Sequence, residues 1–520
     1  MSFVDNIKET LNEDFNESIT ENGAVGYRTS GKALLDINFN ISSMRNMNED
    51  QIIDKFVKAF YEDKRLAMKW LFYAGDVRGG VGERRLFRIL LKYLAQNHLN
   101  LAKAVIELVP EYTRWDNLWC LLDTELVDYV INLVEKQLNK DIANMNDNHP
   151  ISLLAKWLPS IVASSKKTKR YGCIICEKLG ISEKTYRTTI SKLRKYLRVT
   201  ETYMSSNRWN EIDYSVVPSR ANLIYKDAFL KHDEERRKEY LNSLSRGEMK
   251  INSGVLFPHN IVCRYRNESG WGRNTYEKED IALEELWKAL PDYVNGNGNT
   301  ICVADGSGSM TSTVGNSNVT CLDVANALAV YFSERCEGQF KNNYITFSEH
   351  PQLVDFNKAK TLREKLEIAS HYNEVANTNI EAVFDLILQT ALNNHMSQSE
   401  MPKNILILSD MEFDKCVTSG ESNNRWQVNR PEKKLFKIFE ERYARHGYKL
   451  PRLVFWNICS RTGAIPVREN DLGVALVSGF SPVIAKMVLS NKTDPLECLI
   501  EQLDSDRYDM VENAIKDLVA

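Results

Sequence analysis

The chain divides into two parts by the spacing of its hydrophobic residues. Between about residues 50 and 250, apolar positions recur at the spacing of amphipathic helices, as in the runs from Leu86 to Leu94 and from Leu126 to Leu138. The patterns are interrupted at 76–82, 109–110 and 144–150 by turn-forming residues. Successive short helices with short connections predict stacked antiparallel helix pairs, without a fixed sequence period.

From residue 300 onwards, short apolar runs alternate with helical patterns. The runs 300–304, 341–347, 404–409 and 452–458 have the composition of buried strands, and 320–335, 378–392 and 431–446 are helical in spacing. This alternation predicts a doubly wound parallel α/β sheet. The Asn- and Gly-rich segment 295–299 is a plausible linker, so we predict a helical domain over 1–295 and an α/β domain over 296–520.

Oxygen-bearing side chains follow two strands of this predicted sheet. Asp305, Ser307 and Ser309 come directly after the first strand, and Asp410 follows the run 404–409. Thr378 lies just before the helical pattern that begins at residue 380. Because ligands gather at the carboxyl ends of such strands, these donors predict one site for a hard cation: Mg²⁺, or Mn²⁺ or Ca²⁺. The alternative is that the hydroxyls are helix N-caps and the carboxylates turn residues.

The same loop lacks the signatures of catalytic and nucleotide-binding sites. Ser307 and Ser309 do not stand in a Gly-x-Ser-x-Gly frame. Thr311 replaces the third glycine of a dinucleotide fingerprint, and no Gly-Lys-Ser/Thr follows. No histidine adjoins the motif as a general base, although His350 and His371 could approach it in the fold. We therefore expect a binding protein and not an enzyme.

Composition narrows the cellular setting. The 520 residues, 43% apolar and 26% charged, are typical of a globular protein with two or three domains. The charged start lacks the apolar stretch of a signal peptide, and no apolar run reaches membrane-spanning length, so we expect no membrane partner. Ten scattered cysteines favour reduced thiols and a cytoplasmic location. We expect a monomer.

A basic segment interrupts an otherwise acidic chain. Residues 164–198 hold eleven Lys and Arg against two acids, a charge of +9, although the whole chain carries −3. Tyr171, Tyr186 and Tyr196 lie between these charges and could stack on bases. We predict an RNA-binding surface; the alternative is a solvated helical face. The candidate residues are Lys166, Lys167, Lys169, Arg170, Arg187, Lys192, Arg194, Lys195 and Arg198.

The order of the five oxygen donors resembles the metal-ion-dependent adhesion site (MIDAS) of von Willebrand factor A domains. A helical array followed by such a domain resembles the Ro ribonucleoprotein family, as do the segments 257–261, 453–458 and 478–480. That resemblance implies a TROVE domain of HEAT-like repeats that closes into a ring, sealed by the A domain. It also implies binding of small structured RNAs and of misfolded RNA ends, and a metal position open to an acidic protein ligand.

Other segments resemble a less characterised family of A-domain proteins of unknown function. These are 73–84, 114–116, 156–159 and 409–413. The glycine-rich part, 78–85, could cradle phosphate or form a tight turn between helices. We predict an RNA-binding scaffold of Ro type with a magnesium-binding A domain for a second ligand. The alternative is a metal-dependent protein–protein interaction module without RNA binding.

Overall fold

The structure is a computed structural model that describes residues 16–19, 25–266, 276, 278–294, 299–372, 379–412, 435–465, 474–488 and 494–519. The helices of the first half are α1 Ala33–Phe39, α2 Glu49–Glu62, α3 Lys64–Gly75, α4 Arg84–Asn97, α5 Leu99–Val105, α6 Val109–Tyr112, α7 Val127–Asn146, α8 Leu154–Trp157, α9 Lys166–Lys178, α10 Glu183–Tyr196, α11 Thr200–Ser205, α12 Ser219–Ile224, α13 Lys226–His232 and α14 Glu234–Ser245. The later helices are α15 Pro258–Tyr265, α16 Ile281–Lys288, α17 Cys321–Arg335, α18 Leu362–Ser370, α19 Ile380–Asn393, α20 Leu435–Arg445, α21 Ala485–Val488, α22 Pro495–Leu503 and α23 Asp509–Val519.

The strands lie mainly in the second half of the chain. They are β1 Glu17–Ile19, β2 Val25–Tyr27, β3 Thr300–Asp305, β4 Asn343–Phe347, β5 Leu353–Asp355, β6 Asn404–Ser409, β7 Arg452–Asn457 and β8 Val474–Ser478. A helical region followed by a sheet with alternating helices confirms the predicted mixed fold. HEAT-like stacking and a closed ring stay predictions.

One six-stranded sheet has the order β5–β4–β3–β6–β7–β8. All neighbouring strands are parallel except β5, which pairs antiparallel with β4 at the edge. From β3 the chain moves outward to β4 and β5 and then returns to the other side of β3 with β6. The strand order therefore switches between β3 and β6, which is where α/β sheets form their ligand crevice.

Both faces of this sheet are buried, which explains why its strands are almost continuously apolar. On one face, Val303 and Ile407 lie in a core cluster with Phe384 of α19. On the other face the Trp456 ring meets the ring of Phe332 on α17 edge-on, with centroids 5.7 Å apart. The edge strand β5 escaped prediction because only its middle residue is buried.

The described residues pack into two compact units that interleave along the chain. The sheet unit comprises Met1–Asn48, Phe257–Asp280 and Leu290–Gln502, and the helical unit comprises Glu49–Leu256, Ile281–Ala289 and Leu503–Ala520. The packing therefore divides the chain at places other than the boundary predicted between residues 295 and 296. Within the described helices, none is long and apolar enough to cross a bilayer.

Specific contacts explain why the early segment belongs to the sheet unit. The Ser42 hydroxyl donates to the Asn457 carbonyl at 3.0 Å, and the Asn457 side-chain amide donates to the Phe39 carbonyl at 2.8 Å. All three residues are buried. The end of α1 is thus hydrogen-bonded to the end of β7, a pairing that hydrophobic spacing does not reveal.

Candidate metal centre and basic surface

Two buried carboxylates lie at the carboxyl ends of adjacent central strands. Asp305 ends β3 and Asp410 directly follows β6, and these side chains are 1% and 2% exposed. In the parallel register Ala304 pairs with Leu408, which brings the next residue of each strand, Asp305 and Ser409, to the same level. The site therefore lies at the switch point of the sheet.

Hydrogen bonds hold Asp305 in place. The Ser409 hydroxyl donates to Asp305 Oδ2 at 2.6 Å, and the Ser307 backbone N–H donates to Asp305 Oδ1 at 2.9 Å. The hydroxyls of Ser307 and Ser309 lie 2.9 Å apart. Ser409 was not among the predicted donors, although its position one residue before Asp410 was a usable signal.

The environment of Asp410 favours its protonated form. Burial and, after it, the neighbouring carboxylate of Asp305 together raise the pKa of Asp410 to about 7, although a hydrogen bond from Ser309 opposes the shift. Arg461 forms an ion pair with Asp410, with 3.7 Å between Arg461 Nη2 and Asp410 Oδ2. Two adjacent buried carboxylates with one counter-charge at 3.7 Å are a donor set that a divalent cation neutralises.

Glu412 builds the loop beside this site and was also missed. One oxygen of this buried carboxylate accepts from the backbone N–H groups of Arg461 and Thr462 at 2.9 and 3.0 Å and from the Ser460 hydroxyl at 3.1 Å. These bonds fix the turn that carries Arg461 toward Asp410. Because 49 residues separate Glu412 from Arg461, no local pattern points to the pair.

The structure brings four of the five predicted donors to one edge of the sheet, and Thr378 lies outside the described residues. Among the residues it describes, no three or more His, Cys, Asp and Glu side chains gather as a metal-binding group. The predicted set has only two carboxylates and otherwise hydroxyls, which suit a hard cation. The N-cap part of the alternative is weakened, because Ser307 makes no side-chain capping bond and Asn379 caps α19. The carboxylates do act as turn residues, since Asp305 and Asp410 each accept from the backbone N–H two residues on, at 2.9 and 3.3 Å.

The basic segment forms α9 and α10 of the helical unit, and most of its candidate residues are exposed. The exposed candidates are Lys166, Lys167, Lys169, Arg170, Arg187, Lys192, Lys195 and Arg198. Arg170 forms an ion pair with Asp123, and the other seven have no ion pair with any described residue. A solvent-facing excess of positive charge therefore remains on these helices.

Arg194 and the tyrosines of this segment have internal partners. Arg194 donates from Nε to the Ala155 carbonyl and from Nη2 to the Leu158 carbonyl, both at 2.8 Å, and burial lowers its pKa. Tyr171 and Tyr186 are 8% and 1% exposed, so they are not available to stack on bases. Arg194 thus stabilises the end of α8 and is not part of one basic face.

Comparisons with known proteins place the chain among uncharacterised proteins. Residues 299–516 match the family model "Domain of unknown function (DUF7788)", and residues 124–300 match "Domain of unknown function (DUF2828)". The chain is 30% identical over 530 residues to "Uncharacterized protein L728" of Acanthamoeba polyphaga mimivirus, covering 94% of this chain and 87% of that protein.

A crystal structure of the Ro (RSR) protein of Deinococcus radiodurans is also similar, with a TM-score of 0.39 and 13% identity. The alignment covers 92% of this chain and 93% of that one.

Proposed function

We propose that this chain, which belongs to the same family as the uncharacterized protein L728 of Acanthamoeba polyphaga mimivirus, is an RNA-binding scaffold. Its sheet unit would hold a divalent cation for a second, acidic ligand. The observation that carries the proposal is the buried pair Asp305 and Asp410 at the switch point of the sheet. Binding, and not catalysis, is the role we assign to this site.

The residues at the site fit a magnesium-type cation. Asp305, Ser307, Ser309 and Asp410 would hold it, with Ser409 fixing the orientation of Asp305. When bound, the ion supplies positive charge and a coordination position for a carboxylate or phosphate of a partner. Ser307 and Ser309 supply neutral hydroxyl oxygens, which leave the charge of the ion only partly compensated and hence attractive to an acid.

We expect Asp305→Asn to weaken metal binding by about tenfold or more, because one of two charged ligands is lost. The measurement is Mn²⁺ binding to the full chain, followed by electron paramagnetic resonance and displaced by Mg²⁺. Asp355→Asn, an exposed acid of β5 in the same unit, is the matched control. Equal Mn²⁺ affinity in wild type and Asp305→Asn would contradict the assignment.

The RNA-binding part of the proposal rests on exposed charge in the helical unit. The segment 164–198 carries +9, and most of its cations have no carboxylate partner within the described residues. Such charge binds the phosphate backbone with little sequence preference and with steep salt dependence. The resemblance of the sequence to the Ro family favours RNA as the polyanion.

We expect Lys192→Ala, Lys195→Ala and Arg198→Ala together to weaken RNA binding and to lower the salt slope of log K by about 2, because three phosphate contacts are lost. The measurement is fluorescence anisotropy of a labelled single-stranded oligoribonucleotide between 50 and 200 mM NaCl, roughly the range over which such slopes are resolved. A slope identical to that of wild type would remove this surface from the RNA site.

The matched control removes the same charge elsewhere in the helical unit. Lys58, Lys136 and Lys140 are exposed lysines of α2 and α7, and their alanine variant tests for a general effect of net charge. If the wild-type chain does not bind RNA, and if it captures an acidic protein with Mg²⁺ but Asp305→Asn does not, the chain is instead a metal-dependent protein-interaction module.

A further inference from the structure

Three arginines of the helical unit converge on one carboxylate. Asp116 Oδ2 accepts hydrogen bonds from Arg84 Nη2 at 2.6 Å, from Arg88 Nη2 at 2.9 Å and from Arg114 Nη2 at 2.6 Å. Arg114 Nε donates to the other oxygen at 2.9 Å. The arginines come from α4 and from the chain just before the 3₁₀ segment Trp115–Leu121, so tertiary packing assembles the cluster.

The cluster contains more positive charge than Asp116 neutralises. Three guanidinium groups share one carboxylate, and the side chains of Arg84, Arg88 and Arg114 are 39%, 36% and 31% exposed. Burial, together with the charges of Arg114 and Arg88, lowers the pKa of Arg84 to about 10 despite the opposing effect of Asp116. Like charges held this close repel one another unless a further anion joins them.

Donors without acceptors lie in the same cluster. The Nη1 atoms of Arg84, Arg88 and Arg114 donate no hydrogen bond to any described residue. The buried Arg84 Nε and Asn117 Nδ2 likewise have no partner among the described residues. A single carboxylate has too few oxygens to accept from all the N–H groups of three arginines. Guanidinium groups with unused N–H groups bind the oxygens of a phosphate bidentately.

The position of the cluster is preorganised and adjoins the basic helices. The Arg114 guanidinium lies 3.7 Å from the centroid of the half-buried Trp157 ring, and Trp119 Nε1 donates to the Trp157 carbonyl at 3.2 Å. Trp157 ends α8, and Arg194 of α10 donates to the carbonyl of Leu158, the next residue. The cluster therefore connects, through α8, with the charged helix assigned above to RNA.

The neighbouring glycine-rich loop is not the phosphate cradle that its sequence allows. The backbone N–H groups of Val81 and Glu83 donate to the carbonyls of Tyr73 and Ala74, at 3.0 and 2.7 Å. A Cβ on Gly80 would lie 2.0 Å from the Tyr73 carbonyl oxygen. The loop is a close turn against α3 that uses the N–H groups of Val81 and Glu83 for backbone bonds, and we assign anion binding to the arginines.

We propose that Arg84, Arg88 and Arg114 form a binding site for a phosphate group, and that the occupant is a phosphodiester of the RNA backbone. Asp116 competes for the three guanidinium groups and partly neutralises them until the phosphate binds. The choice of RNA as occupant rests on the proposed function, whereas the phosphate site itself does not. Free phosphate shares the same chemistry, and the experiment separates the two sources.

The test measures inorganic phosphate and RNA separately on the full-length protein. Phosphate binding is followed by calorimetry at constant ionic strength, with chloride as the reference anion, and RNA binding by anisotropy of a labelled oligoribonucleotide. We expect Arg84→Gln and Arg88→Gln each to raise the phosphate dissociation constant about tenfold or more and to weaken RNA binding. Arg85→Gln removes the same charge from an exposed neighbouring position and should change phosphate binding little.

A second variant distinguishes a binding site from a structural cluster. Asp116→Asn removes the internal anion, so phosphate should bind more tightly and should restore thermal stability that is lost in chloride buffer. If the Gln variants fail to fold, Arg84→Lys replaces them in the test. It retains the charge without the planar guanidinium group, so we expect a phosphate affinity between that of wild type and no binding.

The outcomes identify which part fails. Unchanged phosphate affinity in Arg84→Gln and Arg88→Gln, or weaker phosphate binding in Asp116→Asn, would overturn the phosphate site. Lost phosphate binding with unchanged RNA affinity would keep the site but overturn RNA as its occupant. If RNA binding survives these changes but is lost when Lys192, Lys195 and Arg198 are all changed to Ala, the proposed function stands and this inference does not.

Discussion

Asp410→Asn is expected to stabilise the metal-free protein at pH 8 by about 4 kcal/mol, since the pKa of Asp410 is raised by about three units and each unit is worth about 1.4 kcal/mol. An ordinary aspartate ionises near pH 4, whereas the pKa of buried Asp410 is raised to about 7. Between these values the unfolded chain releases a proton that the folded protein retains. Stability contributed by this group therefore falls as pH rises through that window, and it stays lower above it.

Mg²⁺ should reverse this effect in the wild-type protein only. A cation between Asp305 and Asp410 removes their repulsion, so at pH 8 and about 100 times its Kd it should add about 2.7 kcal/mol. At pH 5.5 the gain should shrink, because Asp410 then holds a proton that competes with the metal. Urea unfolding with EDTA or Mg²⁺ at both pH values measures all of these effects.

The comparison of the two proteins in EDTA provides the control. At pH 4, where Asp410 is protonated in the folded protein, wild type and Asp410→Asn should have nearly equal free energies of unfolding. A less stable Asp410→Asn protein at pH 8 in EDTA would show that the carboxylate pair is already neutralised by protein groups, Arg461 foremost.

Asp76→Ala is expected to cost about 2–3 kcal/mol of stability, because it removes a fully buried acceptor and leaves hydrogen-bond donors unsatisfied at about 1–3 kcal/mol. Asp76 is fully buried at the end of α3, where it accepts hydrogen bonds from Arg507 and from the backbone N–H of Arg78 at 2.9 Å. The buried Tyr508 hydroxyl also donates to it, at 3.3 Å. Without the carboxylate, these donors are left in a desolvated position.

The experiment compares urea unfolding of Asp76→Ala with that of Asp54→Ala. Asp54 pairs with Lys58 at 2.8 Å on the same unit, but both side chains are about two-thirds exposed, and such a pair is worth about 0.5 kcal/mol or less. Amide exchange in 503–519 should accelerate in Asp76→Ala alone. Equal, small costs in the two variants would show that the Asp76 contacts contribute little.

The two proposed sites use different electrostatic arrangements. At the sheet edge, Asp305 and Asp410 place negative charge where a cation is needed. In the helical unit, Arg84, Arg88 and Arg114 place positive charge where a phosphate is needed. In each case the excess charge lies on buried or half-buried side chains. Their desolvation and mutual repulsion lower the stability of the folded protein, and a bound ligand of opposite charge offsets that loss.

The candidate donors of the proposed metal site are local features of the sequence. An apolar strand that ends in Asp-x-Ser-x-Ser places three oxygens on one loop, and the strand 404–409 places Asp410 beside them once parallel pairing is assumed. Ser409 and Glu412 were not found, because their roles depend on strand register and on a partner 49 residues away.

The basic segment shows the opposite case. Its charge excess is a property of the sequence, but which cations reach solvent is not. Arg194 is held by two backbone carbonyls of another helix, and Tyr171 and Tyr186 are buried. Three arginines distant in sequence from this segment form the denser cluster, because α4 packs beside the 3₁₀ segment that follows Arg114.

The sequence by itself determined most of the elements of both halves, though not the edge strand β5, and it determined the strand–loop motif of the candidate metal site. Hydrophobic periodicity suffices for this because it reports which face of each element is buried. It does not report what covers that face, so only the tertiary structure decided that the end of α1 joins the sheet and that 503–519 joins the helices. The same holds for charge pairing. The sequence contains Asp116 and the three arginines, but only tertiary packing brings them into contact.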